Sequence, residues 1–315
     1  MNGKQILKLG FGLSLLVGIF VMADFQALAT MVQQMHWGYG IVGMMAFSVT
    51  SALDMWRFRI ASPSAAQIHR FAFFRMHIES YVMAQLLPGH MGVDAYRVAT
   101  LGRSSGKGYM EPAIILFALR IFGLLVMLGL TVFLFLALPQ WRELYLPYLY
   151  NAMPLWSGVL TGILLLLFAT FGALLWRRVK PDFQHRFAGV GPAWQALTWP
   201  RLMWLAVISL AMIALRIVTF LFTLWAFNIE MGLWLSTSVA LCAALSWLLP
   251  LSPAGVGVRE GVITGLLVWL GVTFTPALAV ALLNRVYFVL FAAFGGVSFL
   301  LPKSRTELST QESRL

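Results

Sequence analysis

Apolar runs of about 20 residues recur from residue 5 to residue 301, separated by short segments that collect most of the charge. A helix rises 1.5 Å per residue, so a run of about 20 crosses the roughly 30 Å hydrocarbon core of a bilayer. The pattern predicts full spans at 5–23, 37–56, 110–138, 154–176, 201–227 and 276–301. Two regions break it. Residues 71–102 and 234–271 each hold an apolar run, a Pro/Gly break, and a second apolar run too short for a comfortable span. The breaks read "LLPGHMGVDAYR" and "LLPLSPAGVGVREG".

Composition agrees with the pattern. At 60% hydrophobic and 10% charged residues, the chain exceeds the roughly 45–50% apolar content of globular proteins. The predicted class is an all-α polytopic membrane protein, with one transmembrane domain over 1–301 and a polar cytoplasmic tail at 302–315. The formal charge of +11 narrows the partners. Lys and Arg gather in short loops and inside apolar segments, not on one soluble face, which points to anionic lipid and membrane and away from nucleic acid. Cys242, the single cysteine, rules out an internal disulfide framework and a thiolate zinc cluster, and reads as a packing residue. Lys4 and Lys8 ahead of an apolar run, with "ALA" at 27–29, have the parts of a signal peptide; a first span of a polytopic chain looks the same and is the reading adopted.

Cytoplasmic loops carry the excess of Lys and Arg. Lys4 and Lys8, Arg57 through Arg70, Arg103 with Lys107, Arg177 through Arg186, and Lys303 with Arg305 are therefore expected inside. Segments 24–36, 139–153 and 228–233, whose one base is Arg142, are expected outside. This alternation closes only if each irregular region enters and returns on the same side, as a re-entrant hairpin, with both termini cytoplasmic. The two halves also match. Pro88 precedes Arg97 by nine positions and "PAIILFALR" runs from Pro112 to Arg120; Pro250 precedes Arg259 by the same nine and "PALAVALLNR" runs from Pro276 to Arg285. Repeat one, about 37–138, and repeat two, about 201–301, then form an inverted repeat of the kind transporters use.

Unpaired backbone in hydrocarbon costs several kcal/mol per group, so a break at membrane depth belongs where protein or a wet cavity satisfies it. Pro88, Gly89 and Gly92 in the first break, and Pro253, Gly255 and Gly257 in the second, let the chain reverse and bring bare backbone close to a ligand. Returning half-helices aim N–H groups at that point, which favours an anion. The arginines converge there too. By helical rise, Arg120 and Arg285 lie roughly 15 Å from opposite ends of their spans, and Arg216 near the middle of another. A central arginine costs about 2.5–3.5 kcal/mol on insertion scales unless it is paired or hydrated.

Arg97, Arg120, Arg216, Arg259 and Arg285 outnumber the carboxylates at hand, Asp54, Glu79, Asp94 and Glu260. A ligand is expected to supply the missing negative charge, and phosphate matches the guanidinium fork. Asp94 and Glu260 complete the candidate headgroup site, either orienting Arg97 and Arg259 or meeting a cationic group. Arg216 has no mate in the repeat, and snorkelling or capping of backbone carbonyls is its alternative role. His77, Glu79, His90 and Asp94 are metal-ligand types, but "HIE" does not put its two ligands on one helical face and the second half has no counterpart; no metal and no cofactor are expected.

The stretches "LLPGHMGVDAYRVATL", "ALRIFGLL" and "LSPAGVGVREGVITGLLVWLGVTFTPALAVALLNRV" resemble the lysylphosphatidylglycerol synthase transmembrane family, or flippase-like domain family, over nearly the whole chain. The turn leading to Asp94 and Arg97, and the Pro-x-Gly-x-Gly-x-Arg-Glu stretch from Pro253 to Glu260, carry the likeness. It implies movement of anionic, aminoacylated or polyprenyl-linked lipids between leaflets, multi-pass in a bacterial cytoplasmic (inner) membrane and alongside an envelope lipid-synthesis enzyme. Family members that make lysyl-lipid carry a soluble transferase domain after the membrane part; a standalone member without synthesis, hence not an enzyme, is expected here. His90 and Met91 depart from the small polar residues expected in the first turn. The expected function is lipid translocation through a central arginine-lined cavity. Two other classes stay open: a membrane-embedded enzyme acting on a lipid phosphate, with Glu260 or His90 as acid or base, and a non-transporting envelope scaffold.

Overall fold

A computed structural model describes residues 24–85, 91–105, 108–137, 198–246 and 256–300. Among them there are ten helices and no strand. In chain order these are α1 (Phe25–Gln33), α2 (Trp37–Ala61), α3 (Pro63–Gln67), α4 (Arg70–Ala84), α5 (Met91–Ser105), α6 (Met110–Ala137), α7 (Trp199–Ala226), α8 (Leu233–Ser246), α9 (Val258–Trp269) and α10 (Phe274–Leu300). The predicted spans at 37–56, 110–138, 201–227 and 276–301 become α2, α6, α7 and α10. Spans 5–23 and 154–176 and the tail at 302–315 lie outside the described residues.

Three described stretches are long and apolar enough to cross a membrane: Met110–Met127, Trp199–Ala226 and Phe274–Phe299. Helix α2, at 25 residues, is about 37 Å long, but Thr50, Ser51, Asp54 and Arg57 make one of its faces polar. Its other face is apolar and exposed, through Ile41, Met45 and Val49. The same inversion, apolar outside and polar within, recurs on α7, where Trp204 and Val207 are exposed while Ser209 and Thr223 are buried. A surface of this kind belongs in lipid.

Two short helices were not expected. Asp24 starts α1 by accepting from the Gln26 and Ala27 N–H groups at 3.0 Å each. Ser62 starts α3 by accepting from the Ala65 N–H at 3.2 Å, with Pro63 at the first helical position.

Each irregular region resolves into two short helices, α4 with α5 and α8 with α9, of 12 to 15 residues. None exceeds about 23 Å, short of the roughly 30 Å core. Helices α4 and α5 run antiparallel: Tyr96 reaches Glu79, Arg97 reaches Ser80, and Gly92 lies against Met83. A Cβ at Gly92 would stand 2.2 Å from the Met83 carbonyl oxygen, so the close approach requires glycine. Pro88 and Gly89, like Pro250, Pro253 and Gly255, lie outside the described residues.

Helices α2, α4, α5 and α6 hold 25, 15, 15 and 28 residues, and α7, α8, α9 and α10 hold 28, 14, 12 and 27. The two sets interlock, α2 along α7 and α4 along α10. Apolar clusters close both ends. One gathers Phe58, Phe73, Leu101, Ile115 and Leu205; the other gathers Leu224, Val239, Ile263, Leu267 and Ala277. Leu205 and Leu224 sit about 28 Å apart along α7 by helical rise, and Ser209, Arg216 and Thr219 lie between them on that helix.

Candidate anion-binding site

A cavity of about 220 Å³ occupies that middle level, walled by α2, α4–α10. It has room for a phosphate and a short stem. Helical spacing sets its lining. Thr50, Ser51, Asp54 and Arg57 fall at i, i+1, i+4 and i+7 of α2, and Ser209, Arg216 and Thr219 share one face of α7. Arg57 Nη1 donates to Ser209 Oγ at 3.2 Å and joins the two helices. Asp94 and Arg97 enter from α5, Arg120 from α6, Arg259 from α9 and Asn284 from α10. Among the described residues the charged lining is Arg57, Arg97, Arg120, Arg216 and Arg259 against Asp54 and Asp94.

The arginines are not equivalent. Arg97, only 2% exposed, donates from Nη1 to Asp54 Oδ2 at 3.0 Å, from Nη2 to His77 Nδ1 at 2.8 Å and from Nε to Ser80 Oγ at 3.3 Å. A guanidinium only donates, so Nδ1 of His77 accepts and Nε2 carries the proton. That nitrogen is 2.9 Å from Ser51 Oγ, and the Ser51 hydroxyl donates onward to the Tyr81 oxygen at 2.9 Å. Every fork of Arg97 is met by protein. Asp54 is shared, since Arg57 Nη2 donates to its other oxygen at 3.1 Å.

Asp94 and Glu260 form their ion pairs with arginines other than those beside them in sequence. Each serves the arginine of the next helix: Asp94 Oδ2 lies 2.5 Å from Arg120 Nε, and Glu260 Oε1 lies 2.8 Å from Arg285 Nε. The two halves thus form the same ion pair, α5 to α6 and α9 to α10. The second oxygen of Glu260 accepts from the Gly257 N–H at 2.7 Å, and Gly257, at φ +82°, holds a conformation that favours glycine. Glu260 and Arg285 lie behind the described wall, with Arg259 in front, in the electrostatic reach of both and of Arg216.

Arg216 faces the cavity and is exposed to it. Among the described residues no hydrogen bond or ion pair reaches its guanidinium, and Asp54, Tyr81 and Arg57 are its electrostatic neighbours. Carbonyl capping therefore does not describe it among the described residues.

Among the described residues the metal-ligand types of the first hairpin are each engaged elsewhere, and His90 lies outside those residues. His77 is engaged as above, while Glu79 accepts from Arg75 Nε at 2.8 Å, Tyr96 at 2.6 Å and Ser298 at 3.3 Å, tying α4 to α5 and α10. Glu79 is thereby removed from the counter-ions of the cavity. Sequence reasoning missed Arg57, assigned to a cytoplasmic loop, and the part played by Asp54, Ser51, His77 and Ser209. The one-face spacing of Thr50, Ser51, Asp54 and Arg57 was the signal for them.

The family model for the lysylphosphatidylglycerol synthase TM region matches residues 5–296. The chain belongs to that family. The family match and the apolar helices together make it a membrane protein concerned with lipid. No curated protein and no solved structure matches the chain. Within this transmembrane region, 5–296 takes in both hairpins, both interhelical ion pairs and the whole described cavity wall.

Proposed function

We propose that this chain is a lipid translocase of the bacterial cytoplasmic membrane: it takes the phosphate of an anionic lipid headgroup into the central cavity, leaves the acyl tails in the bilayer, and releases the headgroup to the other leaflet. The observation that carries the reading is Arg216, a guanidinium at mid-depth that faces a cavity and meets no carboxylate among the described residues. A charge held there costs several kcal/mol unless water or an anion compensates it. The matched helix lengths and the repeated ion pair support an inverted repeat, and the short helices α4, α5, α8 and α9 support re-entrant hairpins. Rocking of one set against the other exposes such a site to each leaflet in turn. The reading assigns no bond-making step to the chain; it needs only binding and motion.

The test is leaflet exchange of tail-labelled phosphatidylglycerol in phosphatidylcholine vesicles carrying the purified protein, followed by quenching of the outer leaflet. Wild type is expected to accelerate exchange, and Arg216→Ala to slow it about ten-fold or more, the loss of one charge-assisted contact, with an unchanged melting temperature. Exchange no faster than in protein-free vesicles for both phosphatidylglycerol and phosphatidic acid, or equal rates for variant and wild type, overturns the proposal.

A further inference from the structure

We infer that the cavity is matched to a headgroup ending in a phosphomonoester, close to a dianion, in preference to the singly charged phosphodiester of most membrane phospholipids. This rests on the translocase reading above and deepens it. Charge is the first argument. The described lining sets five guanidinium groups against two carboxylates. The sequence at 86–90 and 247–255 contains no Asp or Glu. Both lining carboxylates are committed, Asp94 to Arg120, and Asp54 divided between Arg57 and Arg97.

The excess is concentrated. Arg216 has Asp54 and Arg57 as neighbours, and Arg259 has Glu260 beside it and feels Arg285 and Arg216 in turn, so the guanidinium groups of this neighbourhood outnumber its carboxylates, Asp54 and Glu260. Like charges crowded away from bulk water repel strongly, and the ligand that relieves them best is one that neutralises more than one. Valence is the second argument. A phosphodiester offers two unesterified oxygens and one charge, enough for one guanidinium fork. A phosphomonoester offers three oxygens and a charge near −2 above pH 7, so two forks can engage it together.

The experiment uses the wild-type protein in phosphatidylcholine vesicles at pH 8, with tail-labelled phosphatidic acid and tail-labelled phosphatidylglycerol assayed separately and against each other. Phosphatidic acid is expected to exchange about ten-fold faster, the size of one added charge-assisted contact, and Arg216→Gln is expected to bring the ratio toward one. Equal exchange, or faster phosphatidylglycerol, overturns the monoester preference and leaves translocation standing. Movement of neither lipid overturns both. Glycerol 3-phosphate trapped inside the vesicles is the third arm: its release without lipid exchange keeps the phosphomonoester chemistry and overturns a lipid as its carrier.

Discussion

Arg97 and Arg259 each follow the proline of an "LLP" by nine residues, one in each half of the chain, yet their surroundings differ. Arg97 is buried and donates to Asp54, His77 and Ser80, whereas Arg259 lines the cavity near Arg216, Glu260 and Arg285. The difference originates in the long helices. Helix α2 brings a carboxylate, Asp54, to the cavity; α7, packed along it, brings a guanidinium, Arg216. The first half sets Asp54 against Arg97 and holds it fixed, while the second pairs its own carboxylate, Glu260, with Arg285 and turns Arg216 and Arg259 to the cavity. The cavity thus sets Arg97, held by three protein acceptors, against Arg216, which faces the open space.

The largest effect is expected at the fixed arginine. Arg97→Ala leaves His77 and Ser80 without their donor and Asp54 with fewer cations, in a buried setting where breaking such a network costs about 3 kcal/mol or more. The melting temperature in detergent and the yield of folded protein should both fall sharply, with Arg97→Lys intermediate because a point charge cannot serve three acceptors. Arg259→Ala should melt close to wild type and lose exchange instead. If Arg259→Ala destabilises as much as Arg97→Ala, the two arginines do not differ as described.

The long helices were legible because their signal, about 20 apolar residues, needs no tertiary information. Membership of the family was legible for a related reason: the proline-glycine turns and the arginines after them are local patterns. The pairings were not. Asp94 stands three residues before Arg97, one turn of the same helix, and adjacency suggested that they serve each other; the structure sends Asp94 across to Arg120 on α6, a choice made by helix packing. Arg57 was misplaced for a different reason. Its charge counted toward a loop, although its spacing from Asp54 and Ser51 put it on the inner face of α2. The division between fixed and receptive arginines depends on which helix stands opposite, and no single segment carries that information.

The repeated ion pair sharpens the comparison at a smaller scale. Glu260, 4% exposed at its side chain, and Asp94, 22% exposed, hold Arg285 and Arg120 at matching places. Glu260→Gln should cost about 2 kcal/mol, since a buried partner loses its counter-charge. Asp94→Asn should cost about 1 kcal/mol or less, because water in the cavity screens what remains. The order should be visible in melting temperatures, and Arg285→Met combined with Glu260→Gln should recover part of the loss, as removing both charges leaves none stranded. An equal cost at both acids would mean that the second half is no drier than the first.

The smallest effect expected is at Gly257, where strain and aim meet. Its φ of +82° precedes α9, and its N–H is held at 2.7 Å by the Glu260 carboxylate, so this single residue fixes the angle at which α9 starts and Arg259 leaves the backbone. A side chain in this region of backbone conformation costs about 1 kcal/mol or somewhat more. Gly257→Ala is therefore expected to lower the melting temperature slightly and exchange by about three-fold, with exchange lost beyond what stability explains because the guanidinium is re-aimed. Pairing the variant with Glu260→Gln separates the contributions: if the cap transmits the strain, the two losses are less than additive. Fully additive losses would show that Gly257 acts on the chain turn alone, and that Arg259 is aimed by packing against α10.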